Sequence, residues 1–190
     1  MLIQLLLLIL DAVFSFMSGV LLARFLMQWL RLPFRNPVGN FVVAASDWMV
    51  RPARRIIPGL FGLDLSSLVL AWLLQTVLLV LTVLLHGAGF GDGALLAVLA
   101  LVGVLDTLRS AVYLVIGAVI VSAVLSWVNP YSPIGPLVNG LARPFLRPFQ
   151  RIIPPVGNVD LSPLALLLVL QVALFLLNSL KASLLGFGFA

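Results

Sequence analysis

The run Arg51-Pro52-Ala53-Arg54-Arg55-Ile56-Ile57-Pro58 returns 96 positions later as Arg147-Pro148-Phe149-Gln150-Arg151-Ile152-Ile153-Pro154. Each copy leads into Asp-Leu-Ser-x-Leu, from Asp64 to Leu68 and from Asp160 to Leu164. At the same gap-free offset Pro37 and Gly39 meet Pro133 and Gly135, and Gln75 meets Gln171. Shared hydrophobicity does not generate matches at Arg, Asp, Pro and Gln. The chain is one unit used twice, so its fold has to hold two equivalent basic, proline-rich loops.

Around those loops the chain is apolar. It has 63% hydrophobic and 9% charged residues, where a soluble domain carries about 25% charged. Crossing a hydrocarbon core takes about 20 predominantly apolar residues, and four stretches qualify: about Leu2 to Leu30, Ser66 to Leu85, Leu108 to Val128 and Pro163 to Leu185. Ala94 to Leu105 reads as a helical lead-in to the third, because about 35 helical residues would span more than 50 Å. The apolar run after Met1 has no basic residues ahead of it and continues towards Trp29, so it reads as a retained span rather than a cleaved signal. The expected fold class is an all-α membrane protein with four transmembrane helices in two tandem parallel repeats, 1–92 and 93–190. Each repeat carries an amphipathic Arg/Pro-rich interfacial segment between its spans.

The loops 31–65 and 129–161 hold eight of the eleven basic residues. By the positive-inside rule both loops face the cytoplasm and both termini lie on the outer side. Trp29 and Trp127 at the cytoplasmic ends of spans agree with this, and Lys181 near the outer end works mildly against it. Two spans per copy make the repeats parallel, unlike the inverted repeats of many ion-coupled carriers. Basic clusters beside apolar spans suit anionic lipid headgroups rather than nucleic acid.

In the second copy Leu137, Leu141, Phe145, Phe149 and Ile152 fall on one side of a helical projection, and Arg143, Arg147 and Arg151 on the other. That pattern suits a segment whose apolar side rests in the acyl boundary. Pro144 and Pro148 predict a short helix over about Pro136 to Ala142, then broken turns. The first copy predicts a similar helix that ends near Val50. Pro58 and Pro154 stop each basic segment. Ser66 and Ser162 are the expected caps of the following spans. Asp64 and Asp160 either pair with Arg55 and Arg151, folding each loop under the membrane, or serve as acids near a helix N-terminus. The lipid or partner contacts expected from this pattern are Arg51, Arg54, Arg55, Arg143, Arg147 and Arg151.

Within the spans, Gln75 and Gln171 are expected to face the bundle and hydrogen-bond across helices. Asp106 and Arg109 can pair at i,i+3, and Arg24 can snorkel to the inner boundary. Asp11 lies deeper without an evident local partner; an outer-end position or an interhelical contact is expected, and it is also the intramembrane residue best placed for an ion or proton contact. With no cysteine and His86 as the sole histidine, no metal, cofactor or catalytic set is expected, and the chain reads as a non-enzyme.

The motifs Arg147 to Pro154 and Asp160-Leu161-Ser162-Pro163 resemble the YggT family of bacterial membrane proteins, whose signature is Arg-Pro-x-x-Arg-x-Ile-Pro followed by Asp-Leu-Ser-Pro. The first copy departs from it only at Ser67. The resemblance implies an inner-membrane protein linked to osmotic-stress tolerance, potassium uptake and cell division or envelope organisation. Its chloroplast relatives imply maturation of cytochrome b6. The function expected is a non-catalytic assembly or organising factor that contacts anionic phospholipid or a membrane-protein partner. An oligomeric ion channel or potassium-homeostasis component, and a cytochrome maturation factor, are the alternatives. A homo-oligomer is compatible with each.

The parallel-repeat topology can be tested in this cysteine-free chain. Arg51→Cys and Arg147→Cys are each expected to react with a membrane-impermeant maleimide only from the cytoplasmic face. Labelling from opposite faces, or of both from outside, would overturn the topology.

Overall fold

The computed structural model describes residues 1–57, 59, 64–87, 93–129, 131–153 and 160–188. Pro58 and Pro154 lie outside the described residues. Among the described residues six helices follow one another: α1 (Leu2–Trp29), α2 (Pro37–Ala53), α3 (Leu65–Leu85), α4 (Gly93–Val128), α5 (Gly135–Ile152) and α6 (Ser162–Gly188). Among the described residues there is no strand. By length and composition α1, α3, α4 and α6 can each cross a membrane. The lead-in and the third span form one uninterrupted helix of 36 residues, about 54 Å long at 1.5 Å per residue.

The two copies share one plan. In the first, α1 packs along α3 and α2 bridges them; in the second, α4 packs along α6 and α5 bridges them. Both α1 and α3 reach α4, which joins the copies. At that seam Trp72 donates its indole N–H to the Ala100 carbonyl at 2.9 Å. A Cβ on Gly103 would collide with the Thr76 hydroxyl, so the α3–α4 approach depends on that glycine.

Burial concentrates at the loop end of the bundle. Leu21, Leu22, Val50 and Ala71 form one cluster, and Val20, Met27, Val42 and Leu137 another that ties α5 to the first copy. The opposite half of α1 is largely open, with Leu2, Leu5, Leu8 and Val13 exposed. Such residues suit acyl chains, which are as apolar as leucine.

Local chemistry sets the turn from α1 into α2. The N–H of Leu32 donates to the Met27 carbonyl at 2.8 Å and that of Arg31 to Gln28 at 3.0 Å. Arg31 stands at φ 52°, the left-handed position that normally favours glycine. Its Cβ there costs about 1 kcal/mol. Asn36 caps α2 by accepting the Gly39 N–H at 2.8 Å, and Pro37 supplies the first helical residue. A Cβ at Gly39 would sit 2.8 Å from the Phe34 Cα, so the chain folds back here only with glycine. That gives the repeated Pro-x-Gly a steric reason in the first copy.

Two expectations about α5 are corrected. It is continuous from Gly135 to Ile152 despite Pro144 and Pro148. Each proline removes an N–H and frees one carbonyl of the preceding turn, but both lie on the exposed side, where that carbonyl can be solvated. In addition, the apolar side of α5 does not rest in the acyl layer. Leu137, Ala142 and Leu146 are buried, and Leu141, Phe145 and Phe149 pack onto the same protein clusters, chiefly against Val115, Val119 and Leu166. Only Ile152 of that series is exposed. The bundle itself consumes the apolar stripe.

Gly39→Ala is expected to cost about 2 kcal/mol through forced displacement of backbone. Gly19→Ala, with open space around its Cβ, is expected to be neutral or mildly stabilising. Thermal unfolding of the two variants in one detergent measures the difference. Equal melting points would remove the steric role of Gly39.

Candidate functional site: the two arginine loops

In the first copy, charged groups interlock where α1, α2 and the start of α3 meet. Arg24, inside α1 and only 6% exposed, directs Nη1 to Ser46 Oγ at 2.7 Å and to Asp47 Oδ1 at 2.8 Å. Its Nε lies 3.4 Å from Asp64 Oδ2. Asp64 is 3% exposed. It accepts Arg54 Nη2 at 2.6 Å and Nε at 3.3 Å, and the Ser67 hydroxyl at 2.9 Å. Arg51 closes the outer edge on Asp47 at 2.7 Å, and Ser66 donates to the Ile57 carbonyl at 2.9 Å. The chain Arg51–Asp47–Arg24–Asp64–Arg54 thus fastens α2 and its basic tail to two spans.

The protonation chemistry follows from this packing. Burial pushes the Asp64 carboxyl up, but Arg54, Ser67 and Arg24 together outweigh it and hold the group below its usual 3.8. The hydrogen bond from Arg24 holds Asp47 down as well, aided by Arg51 and opposed by burial. Both acids are therefore charged at neutral pH, as an ionic latch requires.

The second copy keeps the outline and loses the latch. At the 96-residue offset Arg24 becomes Ile120, Ser46 becomes Ala142, Asp47 becomes Arg143 and Arg54 becomes Gln150. Asp160 is exposed. It accepts Gln150 Nε2 at 2.9 Å and the Ser162 backbone N–H at 2.8 Å. Burial raises its pKa, while the bonds from Ser162 and Gln150 bring it below the usual 3.8. Arg143, Arg147 and Arg151 are all exposed. None has a hydrogen-bond or ion-pair partner among the described residues. Spaced four residues apart, they span about 12 Å of one face of α5.

These positions correct three expectations. Asp64 pairs with Arg54 and Arg24 rather than Arg55, and Asp160 follows the alternative reading of an acid at a helix N-terminus, engaging Ser162 and Gln150 rather than Arg151. Arg55 and Arg151 are exposed. Arg24 does not snorkel. The expected serine caps also shift, since Asp64 takes the N-cap position of α3 without a side-chain cap hydrogen bond and Asp160 is the acceptor at the start of α6. The missed signal was the set Arg24, Ser46 and Asp47: an arginine one turn inside a span, with polar residues on the next helix.

The sequence expectations at the far end of the bundle fare unevenly. Gln75 is buried and donates to Ser110 Oγ at 3.2 Å. Gln171 is exposed on α6, contrary to the expectation that both glutamines face inward. Asp106 lies 3.8 Å from Arg109 but is held mainly by Lys181, whose Nζ approaches both carboxylate oxygens at 2.7 and 2.8 Å. Asp11 is exposed and has no partner among the described residues.

The CCB3/YggT family profile matches residues 3–85 and again 101–181, one match on each copy of the span–loop–span unit. The chain belongs to the CCB3/YggT family. An uncharacterized Pseudomonas aeruginosa protein is 37% identical over 166 residues, covering 86% of this chain and 83% of that protein. The uncharacterized protein YggT of Escherichia coli K12 is 33% identical over 165 residues, with 86% and 84% coverage. A Vibrio alginolyticus relative is 32% identical over 173 residues, with 90% and 92% coverage. No solved structure matches the chain. Four spans and family membership make this a multi-pass membrane protein.

Arg24→Met is expected to destabilise the protein by about 3 kcal/mol, since it strips a buried partner from Asp64 and Asp47. A depressed carboxylate adds stability above its unfolded value and loses it as pH falls through its folded value. Stability from the latch should therefore stay level from pH 8 to pH 5 and decline only below the usual 3.8. Asp64→Asn should shrink that acid-linked loss. Unfolding curves across pH read this directly, and an acid profile unchanged in Asp64→Asn would remove Asp64 from the latch.

Proposed function

We propose that this protein is a non-catalytic organising or assembly factor of the bacterial inner membrane. Its α5 offers Arg143, Arg147 and Arg151 to the phosphates of anionic phospholipid in the cytoplasmic leaflet. The unequal use of the two arginine loops carries this reading. In the first copy Arg24, Arg51 and Arg54 are engaged by Asp47 and Asp64. In the second copy the three arginines stand exposed on a helix whose opposite side is locked into the bundle. A guanidinium with unengaged N–H donors suits a phosphate. Fixing the helix by packing removes most of the ordering cost of presenting three of them in a row. Arg55 is exposed and extends the basic surface on the first copy.

A membrane-protein partner with an acidic surface is the second reading. Tyr131 at 95% and Ile152 at 78% exposure stand at the two ends of the α5 region and would bury against such a partner.

The test compares wild type with the triple variant Arg143→Gln, Arg147→Gln, Arg151→Gln in mixed nanodiscs. Native mass spectrometry reads how strongly each retains phosphatidylglycerol over phosphatidylcholine. Basic residues near an anionic surface contribute about 1 kcal/mol each, so selectivity should fall by roughly tenfold to a hundredfold. Added salt should weaken the wild-type preference. Unchanged selectivity in a correctly inserted triple variant rejects the lipid role. Loss of a crosslinked protein partner with lipid selectivity intact would favour the second reading.

A further inference from the structure

The end of the bundle away from the loops contains a cavity of about 400 Å³ between α1, α3, α4 and α6. Its polar lining includes Asp11, Ser15, Gln75, Asp106, Arg109 and Lys181, with leucines of α1 and α3 completing the wall. Four ionisable side chains around one space at a membrane-spanning level are costly unless they are matched. The matching within the protein is incomplete. Lys181 and Asp106 neutralise each other through two short contacts at 2.7 and 2.8 Å. Arg109 is held loosely, 3.8 Å from the already engaged Asp106 and 3.4 Å from Asn178 Oδ1. Asp11 has no partner among the described residues. The cavity therefore carries a positive pole at Arg109 and a negative pole at Asp11, with zero net charge across the four groups.

We propose that this cavity binds a zwitterion carrying a primary ammonium and an anionic group. The ammonium would be received by Asp11 with the hydroxyl of Ser15, which also lines the space. The anionic group would be received by Arg109. A single ion of either sign would satisfy one pole and leave the other unmatched, whereas a zwitterion satisfies both. A quaternary ammonium has no N–H to donate, so the site discriminates phosphoethanolamine from phosphocholine by hydrogen bonding to Asp11. Two sources share this chemistry: the headgroup of phosphatidylethanolamine, whose chains the leucine wall would accept, and a free amino-acid-like solute. The site is independent of the arginine loops, and its failure would leave the proposed function untouched.

The experiment uses the full chain in nanodiscs of equal phosphatidylethanolamine and phosphatidylcholine, followed by partial delipidation and native mass spectrometry. A second arm titrates free glycine against the detergent-solubilised protein by calorimetry. Retention of phosphatidylethanolamine over phosphatidylcholine by roughly tenfold is expected, the equivalent of about one charge-assisted hydrogen bond. Asp11→Asn should abolish that preference, and Arg109→Gln should weaken retention of both lipids. Both substitutions lie at the cavity wall rather than in the Asp106–Lys181 pair, and an unchanged melting point certifies that each variant is folded. Asp11-dependent lipid retention supports the site with a lipid as its occupant. Asp11-dependent glycine binding supports it with a solute. Absence of any Asp11-dependent binding in either arm overturns it.

Discussion

A guanidinium placed inside a membrane-spanning helix has to be met by acceptors, and in the first half of this protein three elements converge on Arg24. Desolvating that charge costs several kcal/mol, which only close acceptors can offset. Ser46 and Asp47 come from α2, and Asp64 from the start of α3. Supplying them requires α2 to fold back along α1 immediately after the turn at Arg31 to Gly39. It also requires the basic tail of α2 to stay beside α3, where Arg54 covers the same carboxylate. Ser46 and Ser67 are buried as members of this charged chain, and the contacts fix the loop of the first copy against both of its spans. Around it Val42, Val50, Leu21 and Ala71 exclude water and strengthen each contact.

The second copy shows what remains when that charge is absent. Ile120 stands where Arg24 would and is exposed, and Ala142, in the place of Ser46, packs with Val115, Val119 and Leu166 in an all-apolar cluster. Apolar packing of this kind holds α5 without acids, so its arginines are released from structural duty. Asp47 itself becomes Arg143, which turns a latch position into part of the exposed stripe. Duplication thus separates two tasks that compete within one loop. Arginines that fasten the loop cannot also face the membrane or a partner, and arginines that face outward need another means of holding the helix.

The spans and the repeat were legible in the sequence because they rest on length, hydropathy and exact residue matches. The second-copy stripe was legible for the same kind of reason: helical spacing places Arg143, Arg147 and Arg151 together whatever the tertiary context. The latch was not legible, because the partner of Asp64 depends on whether Arg54 or Arg55 points back under the loop. A difference of one residue in a helix turns a side chain by about 100°, and a repeat match does not resolve it. The continuity of α5 was not legible either, because whether a proline breaks a helix depends on the side it occupies. On the exposed side the lost hydrogen bonds can be replaced by solvent. In the sequence Lys181 reads only as a topology signal, and its contact with Asp106 joins residues 75 positions apart, beyond the reach of local pattern.

Equivalent sequence also fails to guarantee equivalent surroundings, as the paired glutamines demonstrate. α3 lies between α1 and α4, whereas α6 packs on α4 and α5 and has no comparable packing on α1. Gln75 therefore finds Ser110 across a helix seam, while Gln171 emerges on the outer side of α6 among exposed Leu168, Val172 and Phe175. Where α6 would meet α1 there is instead an apolar cleft of about 490 Å³, with Leu26 and Trp29 on one wall and Leu170 and Ala173 on another. The copies share an internal plan without a closed twofold arrangement, because the central seam is made once. That single seam decides which polar group is held within the protein and which is left facing the bilayer.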